Sequence, residues 1–289
     1  MSHLLSPNPI TLHAPGGADG RAVSLSVVIP CKNETGNIEV LVGEIATALR
    51  GRQLEILVVD DGSTDGTGQA ALGAGADHDA KVRVIRHETS AGQSSAVRTG
   101  VAHANGDIIV CTDGDGQNDP AFMPQLVDTL LERGAAYGMV GGQRVGRKDT
   151  AVKRFASRFA NRLRGAMLAD KTRDSGCGLK AVWAHVFHRL PYFDGWHRFM
   201  AALVLREGYQ VDFVDVIDRP RQHGVSKYGV LDRALIGSID LLGVWWLLRR
   251  MKRKPLASHT SLELAQTSAV QPSAAPTSVA LANDGSVSS

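Results

Sequence analysis

The sequence predicts an α/β fold in which a mostly parallel central sheet is flanked by helices on both faces. Apolar, β-branched runs alternate along the first half with segments of helical periodicity, and right-handed crossovers between such runs give parallel strands. The 289 residues are 43% hydrophobic and 21% charged, which is ordinary for a soluble globular protein. Glycine is frequent at 31 residues, so we expect many tight turns or close backbone approaches.

Each apolar run in the first half predicts a strand. The first run ends at Pro30, and the third alternates with period two. Helical patterns fill the intervals between the runs and extend beyond the last one. The predicted strands are residues 22–29, 54–60, 81–87 and 107–113, and the predicted helices are residues 38–49, 64–72, 94–104 and 121–133.

The second half is less regular. Residues 150–169 predict a helix in which arginines recur every four positions beside apolar residues, and residues 210–218 alternate like a strand. Both ends of the chain are poor in large apolar residues and cannot bury enough surface to offset their ordering entropy. The predicted organisation is a disordered segment at 1–21, a main domain at 22–229, an amphipathic helix at 230–254 and a disordered tail at 255–289.

Cysteine usage and charge exclude several classes of protein. Three cysteines lie far apart without a C-x-x-C spacing, which excludes a disulfide framework and a cysteine-rich zinc site and fits a reducing compartment. The net charge of +3 gives no reason to expect nucleic-acid binding. We expect no secretory signal, and no uncharged apolar run reaches the ~18 residues of a membrane-spanning helix.

Acidic clusters follow two of the predicted strands. DDGSTDGT occupies residues 60–67, and DGDGQNDP occupies residues 113–120. Ligands bind at the carboxyl ends of the strands of an open parallel sheet, and carboxylates gathered there repel one another unless a cation is present. Each motif alone is also an ordinary turn or helix cap. Together they favour a site for Mg²⁺ or Mn²⁺ that bridges diphosphate oxygens.

With PCKNE at residues 30–34 and HGVSKYG at residues 223–229, these motifs resemble the family 2 glycosyltransferases with the GT-A fold, and among them the polyprenyl-phosphate sugar transferases of the dolichol-phosphate mannosyltransferase type. The resemblance covers residues 24–250. It implies a nucleotide-sugar donor (GDP-mannose or a UDP-sugar), Mg²⁺ or Mn²⁺, inversion at the anomeric carbon and a polyprenyl-phosphate acceptor.

The resemblance also implies roles for the donor-side residues. The family often has an aromatic residue at the position of Lys32, so base stacking at this position stays open, and the alternative for a lysine is a contact with the base edge or with a phosphate. The family's nucleotide contacts fall on Pro30, Lys32 and Glu34, its base contacts on Asp60 and Asp61, and its metal and diphosphate contacts on Asp113, Asp115 and Gln117.

Cations are expected on the acceptor side for a chemical reason. As the bond between the sugar and the nucleoside diphosphate breaks, negative charge develops on the diphosphate and must be stabilised by a metal or by cations. The phosphate acceptor has a second pKa near ~6 and is already anionic at neutral pH. The acceptor therefore needs cations that position it more than it needs a base. Of the residues implied by the resemblance, Arg154 and Lys227 join Asp113 and Asp115 as catalytic candidates. The further candidates are Arg144 and Arg221 for phosphate, and Lys153, Ser157, Ser175, His197, Arg198 and Ser226 for the acceptor.

Other functions remain open at this point. A family 2 transferase that uses a saccharide hydroxyl in cell-envelope polysaccharide or lipopolysaccharide assembly would need a general base, for which Asp174 and Asp194 are available. A non-catalytic nucleotide-binding module is disfavoured because Asp113 and Asp115 are intact. A dinucleotide-dependent oxidoreductase is disfavoured because no G-x-G-x-x-G follows the first strand.

The predicted helix at 230–254 has a membrane alternative. Trp245 and Trp246 precede five cations within six residues, a pattern that suits the interface of an anionic membrane. The competing interpretation is an ordinary helix packed on the core. We expect a peripheral or monotopic protein on the cytoplasmic face of the membrane, in which a membrane partner or a second copy of the chain is a further possible partner.

Overall fold

The computed structural model describes residues 22–145, 164–220 and 230–250, with side chains from residue 237 onward in the last segment. The remaining residues lie outside the described part. They include both predicted disordered ends, most of the predicted helix at 150–169 and the HGVSKYG segment.

A seven-stranded sheet forms the centre of the described part. The strand order is β3-β2-β1-β4-β6-β5-β7, and all pairs are parallel except the two that involve β6. The strands are β1 Ser24–Cys31, β2 Gln53–Asp60, β3 Val82–Arg86, β4 Ile108–Cys111, β5 Tyr137–Arg144, β6 Lys180–Trp183 and β7 Gln210–Val216.

Helices connect these strands and cover both faces of the sheet. Two single 3-10 turns, Pro120–Phe122 and Trp196–Arg198, precede α4 and α6. The helices are α1 Thr35–Ala48, α2 Thr67–Asp77, α3 Gln93–His103, α4 Met123–Arg133, α5 Ala184–Phe187, α6 Met200–Arg206 and α7 Val230–Arg249.

The core lies on both faces of β1, β2 and β4. Val27, Val28, Ile56 and Ile109 have no solvent exposure, as expected for strands of a parallel sheet covered by helices. Burying one such side chain contributes roughly 1.5–3 kcal/mol. Gly100 lets α3 approach the sheet, because a Cβ at this position would lie 2.4 Å from a methyl group of Val28.

The α/β fold with a mostly parallel sheet is confirmed. The five predicted strands are present with ends shifted by a few residues, and the helix predicted at 121–133 begins with a 3-10 turn because Pro120 and Pro124 restrict its start. Sequence reasoning missed β5 and β6. The first contains three glycines and the second has only four residues, so neither shows a clear strand pattern.

The topology brings several loops to one edge of the sheet. In the parallel register, Cys31 at the end of β1 lies opposite Asp60 at the end of β2, and Val28 lies opposite Cys111 at the end of β4. The loops after β1, β2 and β4 therefore meet there. None of the described helices is long and apolar enough to cross a membrane.

Candidate active site at the carboxyl edge of the sheet

The loops after β1 and β2 are tied to each other. Asn33, in the left-handed region at φ 57°, donates from its backbone to Ser63 Oγ (2.9 Å) and accepts from the backbone N–H of Thr64 (2.8 Å). Asp60 is 1% exposed; it accepts from the backbone N–H of Ser63 (2.7 Å) and from Arg86 (3.3 Å). Asp60 therefore holds the loop that carries the DDGS motif.

Asp61 is saturated with internal hydrogen bonds. Its carboxylate contacts His87 Nδ1 at 2.8 Å and accepts from Ser90 Oγ at 2.6 Å and from the backbone N–H groups of Ala91 at 2.7 Å and Gly92 at 2.9 Å. Burial raises the pKa of Asp61, but these hydrogen bonds to the charged form outweigh it and lower the pKa to about 2. The carboxylate thus joins β2 to the loop before α3. The base contacts predicted for Asp60 and Asp61 stay predictions.

The predicted nucleotide residues lie along the end of β1. Pro30 faces Val59 in the register of β1 and β2, and Lys32 is exposed in the following loop. Glu34 stands at the start of α1, where its backbone N–H donates to Thr67 Oγ1 and its carboxylate accepts from Asn37 Nδ2 at 2.6 Å. All three line the edge on the side of the DDGS loop.

Asp113 is half-buried at the end of β4. Gln93 Nε2 donates to its Oδ1 at 2.7 Å, and Gly178 packs against its other side, where a Cβ would lie 2.5 Å from Oδ2. Burial and the negative charge of Asp115 raise the pKa of Asp113 to about 6. Two neighbouring carboxylates, one of them with a raised pKa, form a donor set suited to a hard divalent cation.

The loop that carries Asp115 and Gln117 is held from two directions. Asp115 accepts from the backbone N–H of Gln117 at 3.1 Å, which closes the turn. The Gln117 carbonyl then accepts from the backbone of Arg219 at 2.8 Å, and the Arg219 guanidinium donates to Glu44 on α1 at 2.7 Å and also to Asp119. The residues after β7 therefore fix this loop, residues 113–119, against α1.

Arg144, a predicted phosphate contact, is surrounded by carboxylates. Its guanidinium binds Asp174 through two nitrogens and Asp218 at 3.0 Å, and these carboxylates raise its pKa above the ordinary value. Asp218 also accepts from Asn118 Nδ2 at 3.3 Å. The described contacts of Arg144 thus connect β5 with the loop at 174–178 and, through Asp218, with the loop at 113–119. The predicted contact of Arg144 with phosphate stays a prediction.

The remaining predicted catalytic, phosphate and acceptor residues divide into three groups. His197 lies in the 3-10 turn before α6; its Nδ1 is 2.8 Å from Ser94 Oγ. Burial, followed by the charges of Lys180 and Arg198, lowers the pKa of His197 to about 3, so the ring is neutral at pH 7. Arg198, in the same 3-10 turn, is exposed, and Ser175, in the segment before β6, is partly exposed. Lys153, Arg154, Ser157, Arg221, Ser226 and Lys227 lie outside the described residues.

Two site residues were given no role of their own by sequence reasoning: Gln93, and Lys180 at the end of the DSGCGLK segment. Both line a small cavity of about 20 Å³ beside Asp113, together with Pro30 and His197. Gln93 is the first residue of α3, and Lys180 is the first residue of the antiparallel strand β6. The alternation in LKAVW is the signal that could have predicted strand β6 and thereby placed Lys180 at its start.

The residues Asp113, Asp115 and Gln117 fit a metal site in which the substrate supplies the remaining ligands. Within the described ranges, no group of three or more His, Cys, Asp or Glu residues is arranged to hold a metal by itself. Magnesium is commonly bound by one or two carboxylates together with substrate phosphates and water. Asp113 and Asp115, with Gln117 in the same loop, have the chemistry of such an incomplete protein shell, and their binding of a metal stays a prediction.

Comparison with known sequences gives consistent relatives. Residues 26–190 match the family described as Glycosyl transferase family 2. The dodecaprenyl-phosphate galacturonate synthase of Rhizobium johnstonii is 32% identical over 81% of this chain and 70% of its own length. The undecaprenyl-phosphate 4-deoxy-4-formamido-L-arabinose transferase of Pectobacterium carotovorum is 30% identical over 72% of this chain. The chain spans 63% of that protein, slightly less than two thirds.

Solved structures share the fold at low identity. A mannosyltransferase from Pyrobaculum calidifontis, in complex with GDP-Man and Mn²⁺, has a TM-score of 0.60 at 22% identity over 86% of this chain and 69% of its own. The glucosyl-3-phosphoglycerate synthase of Mycobacterium tuberculosis, in complex with Mg²⁺ and UDP, has a TM-score of 0.59 at 22% identity over 78% of this chain and 79% of its own.

Proposed function

Because the chain belongs to glycosyl transferase family 2, we propose that it is an inverting, metal-dependent transferase. It moves a hexose from a nucleotide sugar to a polyprenyl phosphate at a membrane surface. Its fold is the GT-A fold of the glycosyltransferases named above. The single observation that carries the proposal is the pair Asp113 and Asp115, fixed at the carboxyl edge of the sheet beside a cavity.

The donor lies along the edge from β2 to β4. The nucleoside contacts the loops after β1 and β2, which Asn33 and Asp60 hold together, and the diphosphate lies over Asp113, Asp115 and Gln117. Asp113, Asp115 and Gln117 would hold a divalent cation, which would supply charge stabilisation for the departing diphosphate. The protein's own contribution is to fix the carboxylates before the donor binds, so that no reorganisation is needed during the reaction.

The described side chains on the acceptor side favour a phosphate acceptor over a hydroxyl acceptor. A saccharide hydroxyl requires a base that removes its proton, whereas a phosphate is anionic at neutral pH. Asp174 is paired with the Arg144 guanidinium through two nitrogens, so its oxygens are poorly available as a base. Asp194 is exposed, and His197 is neutral with a pKa lowered to about 3, which makes it a weak base.

Helix α7 supplies the proposed membrane contact. Val244 on one face is 2% exposed and packs on the core, whereas Ile239, Leu242 and Trp246 on another face are 61%, 59% and 56% exposed. Their spacing of three and four residues forms a continuous apolar stripe. The helix therefore combines the two interpretations made from sequence: one face is ordinary core, and the other is free to enter a lipid interface.

The cations at the end of α7 reinforce this contact. The Arg249 guanidinium lies 3.9 Å from the Trp245 ring centroid, and that of Arg250 lies 5.5 Å from the Trp246 centroid. Tryptophan favours the headgroup level, and each nearby cation adds roughly 1 kcal/mol on an anionic surface. A polyprenyl phosphate presents its phosphate at the same level, on the cytoplasmic face.

The proposal is tested with the purified full chain, a panel of GDP- and UDP-sugars, Mn²⁺ and undecaprenyl phosphate in detergent. Mass analysis of the lipid is expected to show the lipid phosphate extended by one sugar. Asp115→Ala is expected to be inactive, and Asp77→Ala, which changes an exposed carboxylate at the end of α2, is the matched control. Transfer to saccharide acceptors with none to lipid phosphate would instead support the polysaccharide alternative.

A further inference from the structure

Lys180 is a cation placed beside the metal carboxylates. It pairs in antiparallel register with Cys111 on β4, two residues before Asp113. Its ammonium group donates a hydrogen bond to the Cys177 carbonyl, which directs it toward the edge of the sheet. The ion pairs of the described residues do not include this ammonium group, and its positive charge acts on Asp113, where it opposes the rise of the pKa of that carboxyl.

Lys180 lines the small cavity beside Asp113. Pro30 lines the small cavity from β1, and Asp113 and Gly178 line it from the loops after β4 and before β6. Gln93 and His197 line it from α3 and the 3-10 turn. The His197 ring is neutral, so it adds a hydrogen-bonding group without charge. Lys180 is thus the cationic member of this described lining, which otherwise holds the Asp113 carboxylate, polar and apolar groups.

Charge balance indicates what this cation meets during the reaction. Without substrate, Lys180 partly compensates the negative charge of Asp113 and Asp115. A divalent cation held by these two carboxylates would neutralise them, and Lys180 would then be an uncompensated charge in a half-buried cavity. Such a charge is costly unless an anion pairs with it.

We propose that Lys180 binds an anionic oxygen of the donor in this cavity. The oxygen belongs either to the diphosphate or to a carboxylate on the transferred sugar, as in a hexuronate. This inference rests on the proposed function, because it places a nucleotide sugar at the carboxyl edge of the sheet. It goes further by adding Lys180 to the donor-binding residues and by testing whether the sugar itself is acidic.

The test measures binding by calorimetry with Mn²⁺ present and again with EDTA. The probes are UDP, GDP, UDP-glucose and UDP-glucuronate, and the proteins are the wild type, Lys180→Gln, Lys180→Arg and the control Lys81→Gln. Lys81 is exposed before the amino end of β3, far along the strand from the site. Lys180→Met, which keeps the apolar stem, replaces the Gln variant if thermal unfolding shows that the latter is unstable.

Removing the charge-assisted hydrogen bond in Lys180→Gln is expected to weaken binding roughly 10- to 100-fold, while Lys180→Arg and Lys81→Gln retain the wild-type affinity. Weaker binding of the nucleoside diphosphate assigns the oxygen to the diphosphate. An unchanged diphosphate affinity, together with the disappearance of a preference for UDP-glucuronate over UDP-glucose, assigns it to the sugar carboxylate. Equal affinities of Lys180→Gln and wild type for all probes overturn the inference. A wild type that binds no probe overturns the proposed function as well.

Discussion

Gly178 offers a sharp test of how the metal carboxylate is positioned. An added Cβ would lie 2.5 Å from Asp113 Oδ2 and 2.6 Å from Asn118 Oδ1, whereas ordinary contacts begin at 3.4 Å. The Asp113 carboxylate in Gly178→Ala must therefore move by about 1 Å, and a misplacement of that size at a reacting centre can cost about 100-fold in rate. Both crowded atoms are side-chain ends, so the fold should be retained with a modest loss of stability, about 1–3 kcal/mol.

The assay compares kcat/KM for lipid transfer, the Mn²⁺ concentration needed for half-maximal rate and the melting temperature. Gly73→Ala is the matched control, because a Cβ at that position on α2 meets nothing within 4 Å. We expect Gly178→Ala to lose about 100-fold in kcat/KM, equivalent to about 2.7 kcal/mol of transition-state stabilisation, and to need more Mn²⁺. Wild-type kinetics and an unchanged Mn²⁺ requirement in this variant would refute the placement of the metal at Asp113.

Three further predictions follow from other parts of the structure. Asp115→Ala should abolish both transfer and metal-dependent nucleotide binding without changing the melting temperature, and full activity of this variant in EDTA would contradict the metal site. Because the pKa of Asp61 is lowered to about 2 from 3.8, its stabilisation of about 2 kcal/mol should be complete above about pH 5 and be lost as the pH falls through 2. Urea unfolding should therefore show a wild-type advantage over Asp61→Asn that shrinks between pH 5 and pH 2, and a pH-independent difference would be inconsistent with this. Leu242→Ser with Trp246→Ser should weaken binding to anionic vesicles in flotation assays, whereas Leu72→Ser, also exposed, should not; equal binding of both would exclude α7 as the membrane contact.

The parts of the fold that follow local pattern could be predicted from the sequence. Parallel strands such as β2 are continuous apolar runs that end in an acidic motif, so both the strand and the position of Asp60 at the edge are visible locally. The motif at 113–120 follows β4 in the same way. Placing both acidic motifs at one edge of the sheet needed no information beyond the order of strands and the rule for parallel sheets.

The remainder of the site depends on contacts between distant segments. Lys180 lines the same cavity as Asp113 because β6 runs antiparallel to β4, and Gln93 donates to Asp113 from the start of α3. The pairing of Arg144 with Asp174 joins residues thirty positions apart, and neither residue signals its partner. Periodicity describes one element at a time, so it could place these residues on elements but could not show which of them meet.

Analysis of the reaction product by ³¹P and ¹H NMR tests the central claim most directly. Product made by the full chain from a nucleotide sugar, Mn²⁺ and undecaprenyl phosphate would be isolated and its phosphorus and anomeric signals assigned. The account predicts a phosphodiester between the lipid and the sugar C1, with the anomeric configuration inverted relative to the donor. A lipid phosphorus that stays a monoester, with the sugar found on a saccharide or free in solution, would contradict it.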